Sequence, residues 1–229
     1  MQDLTPILEF KRVTLHPGTS QMSGLREVSF TLGRGEIAIV DLEEGREHTP
    51  LASLAQGLVA PDSGQVYFKG EDWTAMRASR LSVQRGLIRR VFEHYGWISN
   101  LDVIENIGLA EGYHSGRSRE EIDLEIVTLA KRFGIDRIPE ARPARVHSMI
   151  LRKLEWVRAC VGTPDLILLE RPLFGAPKAD APGLIQAVCE ASRRGVAVLM
   201  MADDSRALEC CGTALVRRFR MEGETVLAV

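Results

Sequence analysis

The fold class rests on the segment Pro164-Asp-Leu-Ile-Leu-Leu-Glu-Arg-Pro172. Its centre, Leu166–Leu169, is apolar and is bounded by charged residues and prolines. Such a run is too short for a helix and is typical of a strand that is buried on both faces. Two other segments share this pattern, Ile37–Val40 and Val196–Met201. Since segments with helical character lie between them, the sequence predicts an α/β fold with a parallel sheet.

The clearest predicted helix is Arg119–Phe133. Ser118 and Glu121 have the spacing of a capping box at its start, and Gly134 follows its end. The apolar residues between these signals recur on one helical face. The other predicted helices are Leu51–Leu58, Ser148–Val161 and Gly183–Arg194.

The two ends of the chain have a different pattern. Leu8–Val13, Val28–Leu32 and Val66–Phe68 are separated by turn residues, which predicts an antiparallel sheet. The closing segment around Gly223 predicts a hairpin. We therefore expect a single domain over residues 1–229, with a core at 1–92 and 162–229 and a helical subdomain at 93–161.

Composition excludes several classes of function. The 229 residues include 29 Lys+Arg and 31 Asp+Glu, so a net charge of -2 argues against a nucleic-acid binder. No apolar run approaches the roughly 18 residues of a membrane-spanning helix. The four cysteines lack a C-x-x-C spacing, and the N-terminus lacks the pattern of a signal peptide. These observations predict a cytoplasmic chain.

Several landmarks occur in a characteristic order, in which Pro164–Pro172 is followed only by Val198-Leu-Met-Met-Ala-Asp203. The earlier ones are Leu25-Arg-Glu-Val-Ser-Phe30, Gly35-Glu-Ile-Ala-Ile-Val40 and Ala60-Pro-Asp-Ser-Gly-Gln-Val66. Over essentially its whole length the chain resembles the nucleotide-binding subunit of an ATP-binding cassette (ABC) transporter. The resemblance implies an ABC-type P-loop NTPase fold, with a RecA-like parallel core, an N-terminal antiparallel β subdomain and a helical subdomain. The segment Gly96-Trp-Ile-Ser-Asn-Leu101 is most similar to the ATPases of Mla/Mce-type lipid transporters, which implies lipid transport.

The segment in the place of the phosphate-binding loop departs from the family pattern. The family has G-x-x-x-x-G-K-[ST], of which Asp41–Pro50 keeps only Gly45 and Thr49, and His48 stands where the lysine belongs. The loop also contains the carboxylates of Asp41, Glu43, Glu44 and Glu47. Each would oppose a phosphate charge by roughly 3 kcal/mol at about 5 Å. We therefore expect no nucleotide cofactor.

The catalytic positions of the family are altered too. Where its members have Asp-Glu, this chain has Glu170 and Arg171, and a guanidinium cannot act as a base. Glu93 aligns with the Gln that senses magnesium, and Asp203 with the switch His. We predict that Arg171 lies in the phosphate site and pairs with Glu47, Glu43 or Glu93. The alternative is that Arg171 points to solvent or packs elsewhere.

The segment His147-Ser-Met-Ile-Leu151 aligns with the L-S-G-G-Q signature of the family. In the family this motif caps the ATP that is bound by a second subunit. Ser148 is retained, but Met149 and Ile150 fill the glycine positions, where side chains would block the approach of a phosphate. The sequence therefore predicts that the chain cannot complete the nucleotide site of a partner.

Four residues follow Glu93 where the family forms a groove for a coupling helix, namely Tyr95, Trp97, Ile98 and Leu101. Their aromatic and apolar character is typical of helix-in-groove recognition, although they could equally pack the helical subdomain against the core. The resemblance implies transmembrane permease subunits as partners and a homodimer or a heterodimer with an active ABC ATPase. It also implies a peripheral position on the inner face of the cell membrane.

Together these observations favour a degenerate, non-hydrolysing subunit that is a structural or regulatory part of an ABC transporter. A first alternative is a weakly active subunit that binds ATP and Mg²⁺ through Thr49 and Glu170. A second is a soluble regulator whose altered pocket binds a cationic or small ligand.

Overall fold

The computed structural model describes residues 5–18, 23–43, 48–94, 96–203 and 215–229, with the Lys178 side chain excepted. The strands are β1 (Leu8–Leu15), β2 (Leu25–Leu32), β3 (Glu36–Asp41), β4 (Ser63–Phe68), β5 (Glu71–Asp72), β6 (Ile88–Val91), β7 (Leu166–Glu170), β8 (Ala197–Ala202), β9 (Leu215–Glu222) and β10 (Thr225–Ala228). The helices are α1 (Leu51–Ala55), α2 (Ala78–Gly86), α3 (Val103–His114), α4 (Arg119–Arg132), α5 (Ser148–Cys160) and α6 (Ala181–Arg193).

The strands form two sheets. The first has the order β2-β1-β4-β5 and is antiparallel. The second has the order β10-β9-β3-β8-β7-β6, in which all neighbours are parallel except the terminal β9-β10 hairpin. The predicted α/β class, the antiparallel N-terminal sheet and the closing hairpin are therefore confirmed.

The second sheet separates two apolar clusters. Side chains alternate along a strand, so Ile37 and Ile39 of β3 lie on one face and Ala38 and Val40 on the other. Helices α3 to α6 cover the first face, whereas α1 and the antiparallel sheet cover the second. Strands β7 and β8 are buried along their whole length, because both faces are covered.

The predicted helices begin at or close to the predicted residues, but one prediction of length was wrong. Helix α1 ends at Ala55 and does not reach Leu58. Gly57 has a φ of +63°, and a Cβ there would lie 2.5 Å from the Trp73 ring. The chain therefore turns sharply after α1. Among the described residues, no helix combines the length and the apolar character needed to cross a bilayer.

The capping box of α4 is present as predicted, which leads to a test of its contribution. The Ser118 side chain accepts a hydrogen bond from the Glu121 N–H, and the Glu121 carboxylate accepts one from the Ser118 N–H. We expect Ser118→Ala to lower the free energy of unfolding by about 1 kcal/mol in urea denaturation. A Ser118→Ala chain as stable as the parent would contradict a capping role.

The same box should contribute a dependence on pH. The Ser118 N–H holds the pKa of Glu121 below its ordinary value of 4.5. Because the folded state binds this proton more weakly, the contribution of Glu121 is present above pH 4.5 and is lost as pH falls through the folded pKa. Glu121→Ala should therefore destabilise the protein near neutral pH and much less in acid. Glu120→Ala is the control, because it removes a neighbouring carboxylate that does not form the capping box.

Candidate functional site

The candidate site lies where the parallel strands of the second sheet end. The register pairs Asp41 of β3 with Ala202 of β8, and Glu170 of β7 with Met201 of β8. Arg171 therefore emerges beside the end of β8. Ligands of open α/β sheets bind outside this carboxyl edge of the strands.

Arg171 is the centre of this edge. Its side chain is 7% exposed, and its Nη1 lies 2.7 Å from Glu93 Oε1. Its Nε donates to Asp203 at 2.7 Å to Oδ1 and 3.0 Å to Oδ2. The predicted pairing of Arg171 with Glu93 is confirmed, and a solvent-facing Arg171 is excluded. Of the other predicted partners, Glu47 lies outside the described residues.

Glu43 was also a predicted partner of Arg171, but the structure shows it elsewhere. The Glu43 carboxylate accepts a hydrogen bond from the Gly223 N–H at 3.4 Å. Glu43 is therefore close to the β9-β10 turn.

The charge of Arg171 is stabilised by its partners. Burial alone would lower the pKa of Arg171, but the hydrogen bonds and negative charges of Asp203 and Glu93 raise it above its ordinary value. Arg171 therefore remains a cation in the folded protein and cannot accept a proton from water.

A second buried ion pair lies next to the first. Arg90 Nη2 lies 2.5 Å from Glu170 Oε1, and both side chains are largely buried. The other oxygen, Glu170 Oε2, accepts a hydrogen bond from the Glu93 N–H at 3.2 Å. The Glu170 carboxylate is thus already bonded to an arginine and to the backbone of the segment that contains Glu93.

His48 and His94 extend the network towards solvent. His48 Nδ1 lies 2.7 Å from Glu93 Oε2, on the carboxylate oxygen that Arg171 does not contact. The rings of His48 and His94 meet edge to face with centroids 4.8 Å apart. Next along the chain, Thr49 is buried, and among the described residues its hydroxyl has no hydrogen-bond partner. Gly45, the other predicted loop residue, lies outside the described residues.

The segment that carries Glu93 is held by a buried arginine on α5. Arg152 donates to the Phe92 and Glu93 carbonyls, each at 2.7 Å, and to Glu155 Oε2 at 2.8 Å. Glu155 is 0% exposed, and burial raises its pKa against the opposing effect of Arg152 and Arg158. The sequence did not predict the contact between Arg152 and Glu155, since both residues showed only the pattern of a helix.

Helix α5 also contacts the segment that follows Arg171. The buried Trp156 indole donates its N–H to the Pro172 carbonyl at 3.0 Å. Helix α5 begins at Ser148 and is capped by His147, whose ring accepts a hydrogen bond from the Met149 N–H. Met149 and Ile150 are exposed there.

A groove of about 460 Å³ lies between β6, α3 and the segment after Glu93. Its lining residues include Ile98, Leu109, Tyr113 and Arg158. Ile98, Leu109 and Tyr113 are exposed.

Only part of the predicted groove set lies in this groove. Ile98 lines it, whereas Leu101 is not among its lining residues. Trp97 packs against the apolar cluster and under the Arg158 guanidinium, which lies 4.8 Å from the ring centroid. Tyr95 lies outside the described residues. Leu109 and Tyr113 were missed because α3 was not predicted, although Asp102 and Glu105 form a capping box at its start.

The architecture is that of an ATP-binding cassette, an α/β P-loop NTPase fold. A dimeric post-hydrolysis structure of the ATP-binding cassette MJ0796, bound to ADP and Pi, superposes with a TM-score of 0.81 and 19% identity, covering 96% of each chain. A structure described as the ATP binding subunit of an ABC transporter gives a TM-score of 0.78 and 19% identity over 96% of this chain and 88% of that one. The predicted fold is therefore confirmed.

The sequence is similar to ATP-binding proteins of bacterial transport systems. The chain is 24% identical to the lipoprotein-releasing system ATP-binding protein LolD of Idiomarina loihiensis, covering 84% of this chain and 85% of that one. It is 25% identical to the intermembrane phospholipid transport system ATP-binding protein MlaF of Escherichia coli over 77% of this chain, but spans 66% of MlaF. No family model matches the sequence. The chain is thus a relative of ABC transporter ATP-binding subunits, and the Mla-type resemblance is confirmed.

Proposed function

We propose that this chain is a non-hydrolysing subunit of an ABC transporter, in which an ion-pair network replaces the nucleotide. The observation that carries the proposal is the buried Arg171, which bonds both Glu93 and Asp203. These three positions correspond to the catalytic Glu, the magnesium-sensing Gln and the switch His of the family. Their side chains satisfy one another, so the fold is held together at this edge without a bound anion.

The described residues do not fit a triphosphate with Mg²⁺. His48 stands in the place of the phosphate-binding lysine, and its Nδ1 lies against the Glu93 carboxylate at 2.7 Å. A phosphate entering there would approach that carboxylate, whose repulsion would be roughly 3 kcal/mol at about 5 Å. The positive charge of Arg171 offers little compensation, because two carboxylates already neutralise it.

One observation favours the alternative of a weakly active subunit. The Thr49 hydroxyl and Asp41 Oδ1 are buried and have no hydrogen-bond partner among the described residues. A buried polar atom without a partner costs free energy and often marks a ligand position. Asp41 ends β3 and Thr49 lies just before α1, so the two atoms flank the segment where the family binds phosphate and Mg²⁺, and the alternative needs a direct test.

Calorimetric titration with MgATP distinguishes a subunit that does not bind nucleotide from a weakly active subunit that does. We expect no heat of binding up to millimolar nucleotide and no rise in melting temperature, since a ligand that binds only the folded state must raise it. Thr49→Ala should behave like the parent chain. Saturable binding of MgATP that Thr49→Ala abolishes would establish the alternative and overturn our proposal.

The groove supports the transporter part of the proposal. It presents exposed apolar side chains of Ile98, Leu109 and Tyr113 beside the Arg158 cation. Exposed apolar clusters of this kind mark interaction surfaces, and a groove between helices suits an amphipathic segment. We assign it to a cytoplasmic helix of a transmembrane permease, which would place the chain on the inner face of the membrane.

We also propose a class of transported substrate and a second cassette subunit. Two of the named relatives carry names that refer to lipoprotein and phospholipid. We therefore place lipid transport first among the cargo classes. Met149 and Ile150 would face a second cassette, either another copy or an active ATPase, and no nucleotide would be shared at that contact.

Substitution in the groove should abolish permease binding without unfolding the chain. We expect Leu109→Glu and Tyr113→Glu to reduce co-purification with membrane subunits at least tenfold, because each places a charge on an exposed apolar surface. Leu124→Glu on α4 is the matched control, as Leu124 is exposed and does not line the groove. Equal recovery of membrane subunits with all three variants, or none with the parent chain, would contradict the proposed docking.

A further inference from the structure

Two imidazoles and a carboxylate converge at the solvent side of the Arg171 network. His48, Glu93 and His94 each offer one ligand atom, and these atoms lie within 4.8 Å of one another. His48 and His94 are 40% and 60% exposed, so a dissolved ion can reach them. We propose that these three residues bind a late first-row divalent transition-metal ion, with Zn²⁺ as the representative.

The distances are close to those that such an ion requires. Zn–N and Zn–O bonds near 2.0–2.1 Å place tetrahedral ligand atoms about 3.3 Å apart. His48 Nδ1 and Glu93 Oε2 are 2.7 Å apart and need to open slightly, whereas His94 Nε2 lies 4.0 Å from Glu93 Oε1 and needs to approach. The His94 side chain is exposed, so a change of its rotamer can close that distance.

The shared ligand is already oriented by its surroundings. Arg171 contacts Glu93 Oε1 at 2.7 Å and leaves Oε2 towards His48. Asp203 in turn holds Arg171, and Arg152 fixes the Glu93 carbonyl. Ligating carboxylates in metal sites are commonly hydrogen-bonded from behind in this manner, which lowers the cost of ordering them.

The local charge and the ligand types select the class of ion. Glu93, Asp203 and Arg171 together sum to a single negative charge while the imidazoles are neutral, so the site favours a cation over an anion. Two nitrogen ligands and one oxygen suit Zn²⁺, Co²⁺, Ni²⁺ or Cu²⁺. Mg²⁺ and Ca²⁺ require mainly oxygen ligands and should not bind here. Three protein ligands leave a coordination position for water or for a side chain of a partner.

This site is independent of the proposed transporter role, because it requires neither a permease nor a nucleotide. The test uses the untagged full chain after removal of metals with a chelator. Zn²⁺ is titrated by calorimetry, and Co²⁺ by the visible absorbance of its ligand-field bands. We expect one Zn²⁺ per chain, a Zn²⁺-dependent rise in melting temperature and no response to Mg²⁺.

Variants locate the ion. We expect His94→Ala and His48→Ala each to weaken Zn²⁺ binding at least tenfold and to remove the rise in melting temperature. His94 is exposed, so its variant should keep the parent circular dichroism spectrum and remain informative if His48→Ala is unstable. His16→Ala is the control, since His16 also lies beside a carboxylate, Asp62, at 2.9 Å. Absence of Zn²⁺ binding by the parent chain, or unchanged binding by His94→Ala, would overturn the proposal.

Discussion

Arg171→Ala should lower the free energy of unfolding by about 3 kcal/mol or more. The substitution removes a buried guanidinium and leaves the largely buried Glu93 and the partly exposed Asp203 without this cation. Glu93 is largely buried and cannot gain full hydration in exchange. Urea denaturation at neutral pH, followed by circular dichroism, would measure the change. Arg171→Lys should cost less, since it keeps the charge but loses the two-sided contact.

Two controls separate this network from an ordinary surface contact. Arg137→Ala removes an ion pair with Glu140 in which both side chains are 82% exposed, and it should change stability by less than about 0.5 kcal/mol. Adding Glu93→Gln to Arg171→Ala should recover part of the loss, because one unpaired charge is then absent. If Arg171→Ala unfolds at the same urea concentration as the parent chain, the network does not stabilise the fold.

Arg152→Ala should lower the free energy of unfolding by a similar or larger amount, about 3–5 kcal/mol. It leaves the Glu155 carboxylate, which is 0% exposed, without its closest cation. It also removes the donors to the Phe92 and Glu93 carbonyls. Thermal and urea unfolding would measure this loss, with Arg119→Ala as a control at an exposed helical pair.

The effect of Arg152→Ala should depend on pH with a defined sign. Burial raises the pKa of Glu155 above its ordinary value of 4.5, and loss of Arg152 would raise it further. The folded state then binds the Glu155 proton more tightly than the unfolded state. The contribution of Glu155 to stability is therefore greatest below pH 4.5 and falls as pH rises through the folded pKa. The deficit of Arg152→Ala should therefore shrink in acid. A deficit that is the same at pH 4.5 and pH 7.5 would show that the lost carbonyl contacts dominate.

A second variant tests whether the unpaired charge is the cause. Replacing both Arg152 and Glu155 by Met removes the two buried charges together, and such replacements are often close to neutral. We expect this double variant to be more stable than Arg152→Ala. If it is no more stable than Arg152→Ala, the unpaired Glu155 charge is not the cause of the loss.

The sequence predicts the sheet well because its signal is local. Strands β3, β7 and β8 are buried on both faces and therefore read as uninterrupted apolar runs. Helix α3 has a weaker signal, since Gly108 and Gly112 interrupt its apolar face and disfavour helix in general. The end of α1 was predicted too late, although Gly57, which follows the helix with a φ of +63°, is itself a local stop signal.

The charged centre was predictable in part for a similar reason. The resemblance aligned Glu93, Arg171 and Asp203 with family positions, and the predicted partners of Arg171 included Glu93. The contact of Arg171 with Asp203 was not predicted. The contacts of His94 and Arg152 were not predictable in this way. The Arg152 contact depends on how α5 packs against the segment after β6, and the His94 contact depends on how that segment packs against His48. Both are tertiary relationships between residues that show no shared sequence pattern.

The bond between the Trp156 indole and the Pro172 carbonyl has a mechanical consequence. Helix α5 and the turn after Arg171 cannot shift relative to each other without breaking this buried contact. Met149 and Ile150 stand exposed at the outer end of the same helix. The position of helix α5 is therefore coupled to that of the turn after Arg171.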